Sequence, residues 1–181
     1  MTVYQGSPEN LADRSPREQR AYALLDRLEI SYVRVDHEAA MTMEDCAAIG
    51  EAIDIPICKN LLLCNRQQTA FYLLLMPGDK PFKTKDLSAQ IQSSRLSFAS
   101  EEQLARLLDV QPGSASVLAL ENDKERCVTL LIDREVLAAP RFGCHPCQNT
   151  SSIGFATDAL LTRILPALER EWQTVDLPRY E

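Results

Sequence analysis

Two cysteines three residues apart enclose a histidine and a proline in the segment RFGCHPCQNTS, residues 141–151. At that spacing Cys144 and Cys147 fit a dithiol redox pair, or part of a tetrahedral zinc site with His145 as a further ligand. Each chemistry makes a demand on its surroundings. A thioredoxin-like dithiol stands at the start of a helix, after an early strand of a βαβ unit. This one comes late and runs into QNTSSIGF, which has no helix start. A structural zinc site needs four ligands, usually as two spaced pairs. The rest of the chain offers Cys58, Cys64 and His37, with no recognisable second pair. Without its sulfur the segment still reads G-x-H-P-x-x-N-T. Pro146 fixes the backbone after His145, Gly143 permits close approach of a ligand to the main chain, and Asn149 and Thr150 add short donors. That combination suits a polar pocket for a small group, and equally a tight turn.

A second oddity is Lys59-Asn60 inside the apolar run ICKNLLLC. A lysine there either faces solvent on an edge strand or points its charge into a cavity. His37, just after SYVRVD, reads as a hydrogen-bonded turn residue or as a ligand. Cys46, Cys58, Cys64 and Cys127 read as small buried apolar residues.

The elements that must position these groups follow from period and caps. SPREQRAYALLDRLEI opens a helix, with Ser15 as cap, Pro16 at its first position and Glu18 completing a capping box. SYVRVD alternates as a strand. TMEDCAAIGEA is a short helix capped by Thr42, with Gly50 near its end. IPICKNLLLCN and TAFYLLLMP, separated by the polar RQQ, form a hairpin of largely buried strands. KTKDLSAQIQ is helical. SEEQLARLLDV is a helix capped by Ser100, with Gln103 completing the box and QPGS stopping it. SVLAL, ENDK and RCVTLLID read as a second hairpin, REVLA as a short helix, RFGCHP as a strand end running into a loop, and SSIGF as a strand. TDALLTRILPALEREW closes as a helix kinked or split at Pro166.

At 181 residues, with 45% hydrophobic and 25% charged content, the chain fits one ordered domain. Hairpins among helices predict a mixed α/β class with a mainly antiparallel, barrel-like sheet. Residues 1–14 and 174–181 read as loose ends around a domain spanning 15–173. The start lacks the apolar stretch of a signal peptide, and the longest apolar run, FYLLLM, is too short for a membrane span. The expected setting is the cytoplasm, with reduced thiols and no membrane partner. A net charge of -7 argues against DNA as a partner. Any RNA contact must use a local basic patch against a repulsive background.

Four segments in order, VDHEAAMTMED, CKNLLLCN, RLSFASEEQLARLLDVQPGSAS and GCHPCQNTSS, resemble the YbaK/ProX-type family of aminoacyl-tRNA editing deacylases. The resemblance runs from about residue 20 to about residue 170, and is closest to freestanding proteins similar to the editing domain inserted in bacterial prolyl-tRNA synthetases. It implies a compact barrel-like mixed sheet ringed by helices. It also implies hydrolysis of the ester joining a wrong amino acid to tRNA, typically alanine on the proline tRNA, without metal or cofactor. The implied partners are the mischarged tRNA and, as a candidate, prolyl-tRNA synthetase. Lys59 matches the family lysine and Asn60 its polar neighbour. His145 and Pro146 match the HP loop that shapes the aminoacyl pocket, Asn149 and Thr150 the following NT, and His37 and Thr42 the N-terminal segment near that pocket. Lys59 and His145 are thus the catalytic candidates, with Asn60, His37, Thr42, Gly143, Pro146, Asn149 and Thr150 around the substrate. Cys144 and Cys147 fall where relatives often carry apolar residues, which makes them pocket lining. The other classes are a non-catalytic amino-acid or aminoacyl-tRNA binding protein on the same fold, and a thiol or zinc protein built on Cys144 and Cys147.

Overall fold

The computed structural model describes residues 1–40 and 42–180. The β-forming segments assemble into two sheets. The first is antiparallel, in the order β1 (Val3–Gln5), β2 (Val33–Asp36), β8 (Ser151–Ala156), β7 (Arg141–Cys144). The second runs β5 (Ser97–Phe98), β3 (Lys59–Cys64), β4 (Phe71–Met76), β6 (Val128–Asp133), β9 (Gln173–Val175). Around them lie α1 (Pro16–Arg27), α2 (Met43–Ile53), α3 (Thr84–Gln90), α4 (Glu101–Leu108) and α5 (Arg134–Ala138). The mixed α/β class expected from the sequence is the one that forms, divided into two sheets rather than closed as a barrel.

The two apolar runs pair as the expected hairpin, from Lys59 opposite Met76 to Cys64 opposite Phe71. Its turn is held by Asn65, whose side-chain oxygen accepts the N–H groups of Thr69 and Ala70. Thr42 and Ser100 cap α2 and α4 with reciprocal boxes to Asp45 and Gln103. Ser15 caps α1 by accepting from the Glu18 N–H. The Glu18 carboxylate does not complete that box. It accepts from Arg14 at 2.8 Å and from the Ser151 hydroxyl at 3.3 Å, tying the helix start to β8.

The second hairpin does not form. Val117–Asn122 is a 3₁₀ helix capped by Ser116, and β6 joins β4 in parallel. Val117 to Leu120 are all buried, and a run buried on every side carries no period to tell strand from helix. The closing helix passes through Thr157–Ala159, a π-helical turn at Leu160–Ile164 and Leu165–Ala167. Pro166 has no N–H to continue the regular ladder, and the turn before it widens, the Leu165 N–H donating to Leu160.

Both ends expected to be loose are tied down. β1 pairs with β2, and Arg14 bonds Asp36 at 2.9 Å. β9 pairs with β6, and the fully buried Lys80 ammonium donates to the Leu177 carbonyl at 2.6 Å and to Asp133 at 2.8 Å. Glu181, the last residue of the expected tail, lies outside the described residues.

The sheets meet at one crossing. Ile57 bridges Gly143 in parallel, and the Cys58 N–H donates to the Gly143 carbonyl at 2.9 Å. A Cβ on Gly143 would stand 2.8 Å from the Pro56 carbonyl oxygen and 2.9 Å from Ile57 Cδ1. The missing side chain is therefore used by the chain's own backbone, which corrects the expectation that Gly143 opens the main chain to a ligand. Gly154 stands opposite Gly143 on β8, and a Cβ there would strike Ile55. The two glycines leave a trough that Ile53, Ile55 and Ile57 fill, in a cluster with Val35, Ala40 and Ile49. Gly143→Ala is expected to cost about 1–3 kcal/mol, the usual range for overpacking. The check is a lower denaturant midpoint in equilibrium unfolding, at unchanged slope.

Candidate functional site

The crossing aims two segments at one place. Lys59 follows Cys58, and His145 lies two residues beyond Gly143. Both line a cavity of about 370 Å³, together with Asn60, Thr42 and, from the loop after α4, Gly113. Leu62, Ala99 and Leu104 supply apolar wall.

The cavity sits on an open stretch of sheet edge. β5 pairs only with Leu63 and Cys64 of β3, and the Leu62 carbonyl accepts from Ala99 at 2.9 Å. Main-chain groups alternate in direction along a strand. Cys58 turns its N–H to Gly143, and Leu62 turns its C=O to Ala99. Asn60 lies between them and presents its main-chain N–H and C=O to the gap. Its side chain is already committed, the amide oxygen accepting from the Val117 N–H at 2.9 Å and the amide nitrogen donating to the Cys58 carbonyl at 3.3 Å.

Lys59 is half-buried, and its ammonium donates to the Lys80 carbonyl. Burial pulls its pKa below the ordinary lysine value, with the Asp79 charge opposing. A desolvated cation exerts a stronger field on a neighbouring dipole than one in water. The Lys80 carbonyl is held in turn by its own residue's buried side chain. Burial works against the Lys80 charge, and the hydrogen bonds of Asp133 and Glu135 outweigh it, so that ammonium stays protonated.

His145 is buried, which lowers its pKa, the hydrogen bond to the Ser151 carbonyl opposing and the His37 charge adding to the fall. The imidazole is therefore neutral near pH 7. Its Nδ1 lies 2.9 Å from the Ser151 carbonyl oxygen and 3.1 Å from the Ser152 hydroxyl. A carbonyl can only accept, so Nδ1 carries the proton and Nε2 carries the lone pair. The Nδ1 of His37 faces the Glu38 carbonyl at 2.6 Å and so carries a proton, and its Nε2 lies 2.9 Å from the Ser152 hydroxyl. Ser152 thus links the two histidines, whose ring centroids are 6.1 Å apart.

The remaining candidates divide into lining and support. Thr42 lines the cavity from the start of α2. Asn149 and Thr150 lie behind the wall. The Asn149 N–H donates to the Ser114 hydroxyl, its carbonyl accepts from Ala40, and the Thr150 carbonyl accepts from the His37 N–H. Pro146 is buried and outside the cavity lining. Ser152, Lys80 and Phe98 were not singled out from the sequence. Phe98 stands in LSFAS, a segment that carried the resemblance without being assigned a role. A lysine in the turn PGDK gives no sign that it will be buried.

A larger cavity, of about 770 Å³, shares Met43, Cys46, Ile57 and Cys58 with the first as a wall. Its rim carries Glu44, Glu51, Asp54, Asp79 and Glu135 against Arg141 and Arg179. It has no histidine and an excess of negative charge, so the smaller cavity is where the chemistry-bearing groups converge.

A family model described as "Aminoacyl-tRNA editing domain" matches residues 37–162. The prolyl-tRNA editing protein ProX of Acetoanaerobium sticklandii is 29% identical over 160 residues, which cover 88% of this chain and 96% of that protein. The prolyl-tRNA synthetase associated domain-containing protein 1 of Danio rerio is 32% identical over 143 residues, 78% of this chain and 77% of that one. Among solved structures, a candidate trans-editing enzyme for prolyl tRNA synthetase superposes with a TM-score of 0.68 at 15% identity, covering 93% of this chain and 100% of the other. At that identity the likeness is one of fold.

The cysteines take no part in the convergence of polar groups. Cys144 and Cys147 are buried in the main core. Burial pushes the Cys147 thiol up to about 12 and raises the Cys144 thiol as well, the Ser116 hydroxyl opposing in both. Thiolate, the reactive form, is scarce in such surroundings. Cys64 is buried as expected, Cys46 and Cys58 are half-buried in the cavity walls, and Cys127 is exposed, against expectation. Among the described residues, no three His, Cys, Asp or Glu side chains gather in a metal-binding group. A maleimide at pH 8 should label Cys127 rapidly and Cys144 and Cys147 only after unfolding, as read by mass spectrometry of digested protein.

Proposed function

The chain belongs to the aminoacyl-tRNA editing domain family, and on that premise we propose that it hydrolyses the ester of a mischarged tRNA in trans, with alanine on the proline tRNA as its substrate. The observation that carries the reading is the meeting of Lys59 and His145 in one cavity, with the open edge at Asn60 between them. The names of the relatives point to prolyl-tRNA synthetase as the enzyme whose errors are corrected, and the setting would be the cytoplasm.

An aminoacyl ester is already activated, so hydrolysis needs a placed water and a stabilised oxyanion rather than an enzymic nucleophile. Among the described residues no Ser-His-Asp set converges on the cavity, in keeping with this chemistry. In the proposed reaction the His145 Nε2 lone pair takes a proton from water as the oxygen attacks the ester carbonyl. The Lys59 ammonium, with N–H bonds to spare beyond the one given to Lys80, and the Asn60 main-chain N–H face the developing negative oxygen. Collapse breaks the bond to the ribose oxygen, which receives the proton from His145, releasing the amino acid and deacylated tRNA. The Ser151 carbonyl holds the His145 tautomer that this requires, with the Ser152 hydroxyl beside it. Selectivity would come from exclusion, since alanine is smaller than proline. A synthetase pocket discriminates by only about 1–3 kcal/mol per methylene, so a second and smaller sieve adds accuracy.

Purified protein should release alanine from Ala-tRNA(Pro) in a panel of mischarged tRNAs. Lys59→Ala should lower kcat/KM by about 10²-fold or more, the usual effect of losing an oxyanion partner. An unchanged rate in that variant would reject the role given to Lys59, and binding of the charged tRNA without turnover would reject hydrolysis.

The rate, corrected for spontaneous hydrolysis, should also depend on pH at both ends. It should rise as His145 loses its proton, at a pH below the ordinary histidine value, because burial lowers that pKa. It should fall again as Lys59 loses its charge, at a pH below the ordinary lysine value. A profile flat from pH 5 to 10 would remove both groups from the reaction.

A further inference from the structure

Beside the Lys59 cavity lies a separate cleft of about 640 Å³, lined by Phe82, Lys83, Thr84, Lys85, Arg95 and Phe98. Phe98 is common to both, so its ring stands at the junction between them. It is 61% exposed, which is unusual for a phenylalanine and leaves most of the ring open to a partner. Phe82 meets it edge-on, with centroids 6.1 Å apart and planes at 70°, so the ring is braced. Among the described residues Lys83, Lys85 and Arg95 enter no ion pair, whereas Arg14, Arg20, Arg34, Lys80, Arg170 and Arg179 all do. The Lys83 ammonium rests 3.8 Å above the Tyr180 ring, and the carboxylate on this helix, Asp86, is taken by the Tyr180 hydroxyl.

We propose that this cleft is the docking track for the unpaired 3′-terminal nucleotides of the tRNA, with the ester-bearing nucleotide entering the Lys59 cavity and a preceding base stacking on Phe98. The inference rests on the deacylase reading for the direction of the strand, and on the cleft alone for its chemistry. Three cations outside any ion pair among the described residues, around an exposed aromatic ring, match a flexible polyanion that carries aromatic faces. A duplex keeps its base faces stacked and hidden, so the aromatic ring selects a single strand. An acidic peptide would satisfy the cations and leave Phe98 unused. The overall charge of -7 does not forbid this track. Screening confines charge effects to about 8 Å at physiological salt, and the local cluster decides what binds.

The test is equilibrium binding, by fluorescence anisotropy, of a short single-stranded RNA ending in CCA. Wild-type protein should bind it, and annealing a complementary strand to it should abolish binding. Phe98→Ala should weaken binding by about 5- to 150-fold, the range for loss of one stacked base. The double variant Lys85→Ala/Arg95→Ala should flatten the log–log salt dependence by about 1.4, two phosphate contacts at roughly 0.7 each. Lys124→Ala, at an exposed lysine outside the cleft, should change neither, and circular dichroism should show every variant folded. Absence of binding by the wild type, equal binding of the duplex or of polyglutamate, or wild-type affinity in Phe98→Ala overturns the proposal. The deacylase reading fails separately. Binding in the expected pattern, with no amino acid released from any mischarged tRNA, leaves the track standing and removes the reaction. Release by wild type with an unchanged KM in Phe98→Ala removes the track and keeps the reaction.

Discussion

The approach of residues 56–58 to Gly143 is the constraint from which the site follows. Two backbones can come this near only where one of them lacks a side chain, and the Cys58–Gly143 hydrogen bond then locks the register. Once that register is fixed, Lys59 and His145 have no freedom to part, because each is within two residues of the bond. The crossing also explains the open edge. β3 is drawn toward β7 at its start and toward β5 at its end, and on that edge the interval at Asn60 has no strand partner, while its other edge pairs with Leu75 of β4. A gap in a sheet normally exposes main-chain groups at a cost. Here it is enclosed by α2, the loop after α4 and the His145 segment, so those groups face a small cavity rather than a second protein.

The lysine pair works as a nested support. Lys80 is buried with two carboxylates and a carbonyl around its ammonium, and its own carbonyl receives Lys59. Removing one member of a buried ion pair leaves the other charged and unsolvated, typically a loss of 3–5 kcal/mol. The turn that carries the Lys80 carbonyl is therefore held by a cluster that resists deformation. The C-terminal segment belongs to the same support, since Leu177 supplies one of the acceptors. A tail that looks dispensable in the sequence helps to hold the site lysine through one intervening residue.

Much of the fold was legible because caps, turns and periods act locally. Thr42, Ser100 and the two apolar runs each declare an element within a few residues. What was illegible depends on contacts between distant segments. Val117 to Leu120 reads as a strand because nothing local distinguishes a run buried on all sides. From the sequence Gly143 reads as room for a ligand, whereas the room is occupied by Pro56, more than eighty residues away in sequence. Glu18 looked like half of a capping box, and Arg14 and Ser151 claimed it. For the site, the lysine, the histidines and the residues near them were visible as types, and family resemblance supplied their grouping. The positions of Ser152 and Phe98 became apparent only from the fold, since a serine between two strand residues and a phenylalanine in LSFAS have no local mark of function.

The distribution of charge resolves how an acidic protein can be suited to a polyanion. The net charge sums groups that a distant ligand would feel together, but at physiological salt an approaching phosphate feels mainly those within about 8 Å. The larger cavity presents five carboxylates and two arginines at its rim, and the cleft at Phe98 presents three cations. Each of the two openings shares lining with the small cavity, and they differ in sign. A strand of phosphates is repelled from one and drawn toward the other. The negative excess elsewhere on the molecule then discourages adsorption of nucleic acid in any orientation that does not bring a strand end to the cavity. On the proposed docking track, acidity works as orientation rather than as an obstacle.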